Sequence, residues 1–203
     1  MIIIEKSGDI TFLEYTKDVL PDKLYNKLLL EITSYNDWKS GKNNKNKDID
    51  REQKWFHHAG EPFCKTWKNS YDRWLSHDYS PVLRETEEYI NSFVNNRIPP
   101  EVEIPKYNSI LINKYKNGSC FIPRHRDNPS SFGKTPTIAL FSIGCPREFV
   151  IKNSNTRYSY TLGDNSLLIM AGASQQCYTH ELLEDPTISD CRYSLSFREH
   201  KLE

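Results

Sequence analysis

The sequence lacks a surplus of either charge: 27 Lys and Arg residues balance 27 Asp and Glu residues. That balance excludes a whole-molecule attraction to polyanions, so any nucleic-acid contact has to come from a local patch. Long hydrophobic runs are missing too. Met1-Ile2-Ile3-Ile4 meets charge at once in Glu5 and Lys6, and no later stretch approaches the roughly 20 apolar residues of a membrane-spanning helix. The expectation is a soluble, unexported, intracellular protein, cytoplasmic or nuclear, a monomer with no membrane partner. Close-paired cysteines are also absent. The five present, Cys64, Cys120, Cys145, Cys177 and Cys191, are odd in number and scattered, which argues against a zinc site and for reduced thiols. No repeat or targeting motif is visible, and 203 residues suffice for one domain with a proper core but not comfortably for two.

Residues 39–54, KSGKNNKNKDIDREQK, hold no aromatic residue and one aliphatic, Ile49, and read as a surface loop. Before them, Leu24, Leu28 and Ile32 recur at helical spacing within residues 21–32, with Tyr25 and Leu29 beside them. A second helix opens at Ser80-Pro81, where Ser can cap and Pro is tolerated in the first turn. Leu83, Thr86, Ile90, Phe93 and Val94 form its stripe. From Tyr107 the pattern changes to short apolar or alternating runs separated by Gly, Pro, Asn and Asp. Strands are expected at 107–115, 137–143, 148–151, 158–162, 166–170, 176–181 and 192–197. The fold class this implies is mainly β with flanking helices, a sandwich or jelly roll with two N-terminal helices on one face.

His125 and Asp127 stand two positions apart, so in extended chain both point to one face, and His180 follows inside another expected strand. Two imidazoles and one carboxylate on one side of a metal leave the opposite positions open, as a mononuclear Fe(II) oxygenase requires. Zinc is the main competitor, although its structural sites are closed and favour Cys. A His-x-Asp triplet also arises by chance, so the triad alone is a modest signal. The segment 190–198, DCRYSLSFR, strengthens it: Arg192, Ser194, Ser196 and Arg198 share one strand face, Tyr193, Leu195 and Phe197 the other. Two guanidinium groups aimed into a barrel need an anionic guest, and a metal-bound dicarboxylate suits a planar bidentate donor. The plainer alternative is an edge strand exposing Arg to solvent. Asn113 and Tyr115 likewise share a face ahead of the Asn117-Gly118 turn.

In this order and spacing the motifs resemble the AlkB family of Fe(II)/2-oxoglutarate-dependent dioxygenases. They run Asn-x-Tyr-x-x-Gly (Asn113, Tyr115, Gly118), His-x-Asp (His125, Asp127), Ser-Ile-Gly (Ser142, Ile143, Gly144), Leu-Gly-Asp (Leu162, Gly163, Asp164), His180 and Arg-x-Ser-x-Ser-Phe-Arg (Arg192 to Arg198). The resemblance implies a double-stranded β-helix at 107–203, preceded at 1–106 by helices and a substrate-recognition lid, all in a single domain. It implies Fe(II) on His125, Asp127 and His180, with 2-oxoglutarate chelating the metal and O2 as oxidant. Arg192, assisted by Tyr115, would pair with the distal carboxylate, with Ser194 in the same cosubstrate site, while Arg198 and Asn113 would support the metal-proximal carboxylate and Asp127. The implied reaction is oxidative demethylation of N-alkylated bases in DNA or RNA, single-stranded or flipped out, releasing formaldehyde, succinate and CO2. Two positions depart from the pattern: Pro129 stands where DNA-repair members commonly carry an acidic base-reading residue, and Ser194 where some carry Asn.

A base must leave its stack to reach an oxidant in a pocket, so a lid should offer aromatic faces and cations. Trp55, Phe56, Trp67, Tyr71 and Trp74, interleaved with Arg51, Lys54, Lys65, Lys68 and Arg73, supply both. The plainer reading has the Trp residues packing helices onto the barrel. Two other functions stay open: a dioxygenase of the same fold acting on a protein or small molecule, and a non-catalytic nucleic-acid-binding relative.

Overall fold

Alternation of apolar and polar residues sets which strands have one wet face, and continuous apolar runs mark those covered on both. The computed structural model describes residues 1–41, 49–57, 61–62 and 75–201. In chain order the elements are β1 (Ile2–Ile4), β2 (Ile10–Thr16), α1 (Asp22–Ser34), β3 (Glu52–Phe56), α2 (Pro81–Asn95), β4 (Ser109–Tyr115), β5 (Ile122–His125) and α3 (Pro129–Phe132). Then come β6 (Ile138–Gly144), β7 (Arg147–Lys152), β8 (Arg157–Leu162), β9 (Ser166–Gly172), α4 (Ser174–Cys177), β10 (Thr179–Leu182) and β11 (Arg192–Arg198). A seven-stranded sheet runs β1-β2-β9-β6-β11-β4-β3, and a four-stranded sheet runs β5-β10-β7-β8. The strand pairings within both are antiparallel.

Two apolar layers result. Between the sheets, Leu13, Tyr115, Leu140, Leu168 and Met170 of the large sheet meet Phe149, Ile151 and Leu182 of the small one. On the large sheet's other face, Phe141, Ile169, Leu195 and Phe197 pack beneath Leu24, Leu28 and Ile32 of α1 and Leu83, Ile90 and Val94 of α2. This is a jelly roll, a double-stranded β-helix, with both expected helices on one face. The α2 cap is as expected: Ser80 Oγ accepts from Leu83 N at 3.0 Å, with Pro81 in the first turn. Among the described residues no helix is long and apolar enough to cross a membrane.

Three expectations need correction. The strand expected at 176–181 is the end of the short helix α4 followed by β10, because Tyr178 to Cys177 is where the chain turns out of helix into extended backbone. The surface loop expected at 39–54 ends in β3, whose Trp55 and Phe56 pair with Leu111 and Ile110 of β4. The first 106 residues supply β1 and β2 as well as helices. In β2, Phe12 faces the helix layer and Leu13 the inter-sheet layer, so burial on both sides erases the alternation that marks a half-buried strand.

Candidate active site

β5 is an edge strand of the small sheet, and antiparallel pairing puts its His125 directly opposite His180 of β10. Their rings lie 4.2 Å apart between centroids, and His180 stacks on Phe149. Asp127, just past the end of β5, brings Oδ1 to 3.7 Å from His125 Nε2 and 3.8 Å from His180 Nε2. The three residues together could hold one metal ion.

Their protonation suits a metal. Burial pushes His125 below its usual value and lowers His180 to about 3, so both imidazoles are neutral. Burial alone would raise Asp127, but the Arg198 guanidinium outweighs it and holds the carboxyl down at about 2. His125 Nδ1 faces the Pro123 carbonyl at 2.9 Å. A carbonyl can only accept, so Nδ1 carries the proton and Nε2 presents its lone pair. Arg198 Nε donates to Asp127 Oδ2 at 2.5 Å, and Asp127 N donates to Gln175 Oε1 at 3.1 Å, which fixes the carboxylate. Neutral nitrogens and one ionised oxygen are the donor set a facial Fe(II) site uses.

β11 lies between β4 and β6, so its arginines are not on an exposed edge. Arg192 is 1 % exposed; its Nη2 donates to Ser142 Oγ at 2.8 Å and its guanidinium lies over the Tyr115 ring at 5.2 Å. Its Nε has no hydrogen-bond partner, and burial pushes the group below its usual value. Among the described residues no carboxylate pairs with it. A buried guanidinium left this way is costly unless an anion fills the space before it. Register sets Tyr115 opposite Arg192 and Asn113 opposite Ser194, with the Tyr115 and Ser194 hydroxyls 3.4 Å apart. Asn113, Tyr115, Arg192 and Ser194 thus occupy facing positions of β4 and β11, and Arg198, at the end of the same β11, reaches the cluster of His125, Asp127 and His180.

The sequence reading missed several supporting residues. Arg51, expected in the lid, donates from Nε to Asn113 Oδ1 at 3.2 Å, and Gln53 Nε2 donates to the same oxygen at 3.0 Å. The signal was the Gln53 to Asn113 register of β3 on β4, which sequence does not carry. Buried Arg147 donates to the carbonyls of Asn117, Gly118, Cys120 and Leu183, tying the chain before β5 to the chain after β10. Asp164 of the Leu-Gly-Asp motif accepts from Gly144 N and the Tyr25 hydroxyl, which fixes the end of β6 beside Arg192. Of the expected lid, Trp55 and Phe56 are buried in packing, and Lys54 is buried against Asp37 at 2.5 Å. Trp67, Tyr71, Trp74, Lys65, Lys68 and Arg73 lie outside the described residues.

Comparison with known proteins agrees with this geometry. The chain is 30 % identical over 118 residues to DNA oxidative demethylase ALKBH2 of Arabidopsis thaliana, covering 46 % of this chain and 38 % of that protein. It is 32 % identical over 131 residues to human alpha-ketoglutarate-dependent dioxygenase alkB homolog 3, covering 59 % and 43 %. Each match thus spans less than half of the relative's length. Among solved structures, a Trichoplax adhaerens prolyl hydroxylase in complex with a hypoxia inducible factor peptide fragment superposes with a TM-score of 0.62 at 14 % identity, covering 92 % of this chain and 82 % of that one. OsALKBH1 superposes at 0.58 and 16 % identity, covering 92 % and 97 %. The model of the 2OG-Fe(II) oxygenase superfamily matches residues 12–198, and to that superfamily, whose members use Fe(II), 2-oxoglutarate and O2, this chain belongs.

Proposed function

We propose that this protein removes methyl groups from N-alkylated bases of DNA or RNA by oxidation, with Fe(II) on His125, Asp127 and His180. The observation that carries the cosubstrate assignment is Arg192, a buried guanidinium with a free Nε and no carboxylate partner among the described residues. Arg192 would pair with the distal carboxylate of 2-oxoglutarate, with the Tyr115 and Ser194 hydroxyls beside it. Arg198 keeps Asp127 ionised and oriented, and His125 keeps Nε2 unprotonated through its bond to Pro123. Asn113, held by Arg51 and Gln53, supports the metal-proximal end of the site. Iron held there would supply the oxidising chemistry, by which 2-oxoglutarate and O2 would give succinate and CO2 while the methyl group is hydroxylated and leaves as formaldehyde. The nucleobase substrate rests on the relatives named as a DNA oxidative demethylase and an alkB homolog.

The test is mass spectrometry of single-stranded DNA and RNA oligonucleotides carrying 1-methyladenine, 3-methylcytosine or N6-methyladenine, incubated with Fe(II), 2-oxoglutarate and ascorbate. Loss of one methyl mass by wild type, and none by Asp127→Ala, is expected. Succinate formation with no change in any oligonucleotide would overturn the nucleobase assignment and leave a dioxygenase of proteins or small molecules.

A further inference from the structure

Arg124 and Arg126 flank His125, yet neither points where it points. Pairing of β5 with β10 sets His125 opposite His180 but Ile122 opposite Leu182, so the chain between them holds one residue more than its partner. Such a bulge re-aims the side chains around it. Ile122 packs into the inter-sheet layer, whereas Phe121 is 39 % exposed and Arg124 and Arg126 are exposed. The three therefore lie on the outer rim of the strand that carries the first metal ligand.

Both arginines are aimed but not neutralised. Arg124 Nε donates to Thr179 Oγ1 at 2.7 Å, and Arg126 Nε donates to the Tyr178 carbonyl at 3.0 Å. Among the described residues no carboxylate forms an ion pair with either, although Lys152 and Arg157 on the same small sheet are answered by Glu181 and Glu148. The residues that anchor them, Tyr178 and Thr179, are neighbours in the chain, so the two guanidinium groups lie side by side along the rim, placed to meet successive phosphates of a single strand. Phe121 adds an exposed ring, and its carbonyl accepts from Arg51 Nη1 at 3.5 Å, which joins this rim to the cation beside Asn113.

Resting on the demethylase reading, we infer that the β5 rim is the strand-binding surface of this protein: Arg124 and Arg126 hold successive phosphates of a single-stranded polynucleotide and Phe121 stacks on one of its bases. Charge complementarity singles out the occupant. In a chain of zero net charge, two adjacent unpaired guanidinium groups beside an exposed ring match a phosphate-and-base repeat. This contact with polynucleotide is independent of sequence and does not depend on the expected lid.

The experiment is fluorescence anisotropy of labelled single-stranded DNA and RNA over a salt series, with wild type, Arg124→Ala/Arg126→Ala and Phe121→Ala, beside the demethylation assay on the same oligonucleotides. Melting temperatures matching wild type would establish that the variants fold. For the double variant the expected result is affinity lower by roughly ten- to thirtyfold at about 0.1 M salt, with a salt slope shallower by about 1.4. For Phe121→Ala it is about tenfold weaker binding with the slope unchanged. Wild-type demethylation together with unchanged affinity and slope in the double variant would overturn the inference and leave the function standing. An Arg124→Lys/Arg126→Lys protein keeps the charge and should keep the slope, so loss of binding there as complete as in the alanine variant would also overturn it. Wild type that binds an acidic peptide but no oligonucleotide would overturn both.

Discussion

His180 and Asp127 are held in opposite charge states by the same burial. The imidazole loses its proton because burial outweighs the Asp127 carboxylate beside it, while the carboxyl stays ionised because Arg198 outweighs its burial. In the unfolded chain a histidine takes up a proton near pH 6.5 and an aspartic acid near pH 3.9. Native His180 waits until about 3 and Asp127 until about 2. At these two groups the unfolded state thus binds more protons, and together they withdraw on the order of a few kcal/mol from the metal-free protein as pH falls below about 6.5; Glu87, raised to about 7 by burial, acts in the opposite sense down to about 4.5, so the net loss is steepest below that. Urea unfolding of the metal-free protein across that lower range checks the sign, and stability that rose on acidification there would contradict it. At Arg192, replacement by Met should weaken 2-oxoglutarate binding about 10- to 100-fold with little change in melting temperature, because it deletes charge-assisted hydrogen bonds to the guest and a buried charge from the free protein. Arg192→Lys should recover only part of that affinity, since an ammonium cannot make the planar bidentate contact. Calorimetric titration of 2-oxoglutarate into metal-loaded protein measures both.

At the scale of elements, the turn after β4 depends on one glycine. Gly118 donates to the Ile188 carbonyl and accepts from Asp185 N, and a Cβ there would fall 1.7 Å from the Asp185 carbonyl oxygen. That obstacle is backbone, which Arg147 further ties down through the Gly118 carbonyl. Gly118→Ala should therefore cost about 3 kcal/mol or more and displace the chain leading into β5, lowering iron affinity as well. Equilibrium denaturation and metal titration of the variant test the two effects separately. This turn was visible in the sequence as Asn117-Gly118, and β11 as alternating residues, because a central strand with a polar inner face keeps its period. β5 was not, since four residues with Pro123 among them and a bulge leave no period to read. The roles of Arg51 and Gln53 were hidden for a different reason: they follow from the register of edge strand β3 on β4, a long-range pairing.

Across the whole molecule, the metal ligands and arginines were legible because each chemical role demands a particular residue type, and the jelly roll because its later strands are short and punctuated. The participation of β1 and β2 in the large sheet was not, as β2 is ordered by β9, about 150 residues along the chain, and β1 joins the sheet only through β2. Zero net charge has its own consequence. No global field steers a polyanion to this surface, so association with single-stranded nucleic acid should proceed at the unsteered rate of roughly 10⁵–10⁶ M⁻¹s⁻¹ and change little with ionic strength. Salt should act on dissociation instead, where contacts to two or three phosphates give a total slope of about −1.4 to −2.1 in log affinity against log salt. Stopped-flow binding over a salt series separates the two. An association rate that fell steeply with salt would mean that a cationic surface larger than Arg51, Arg124 and Arg126 meets the strand first.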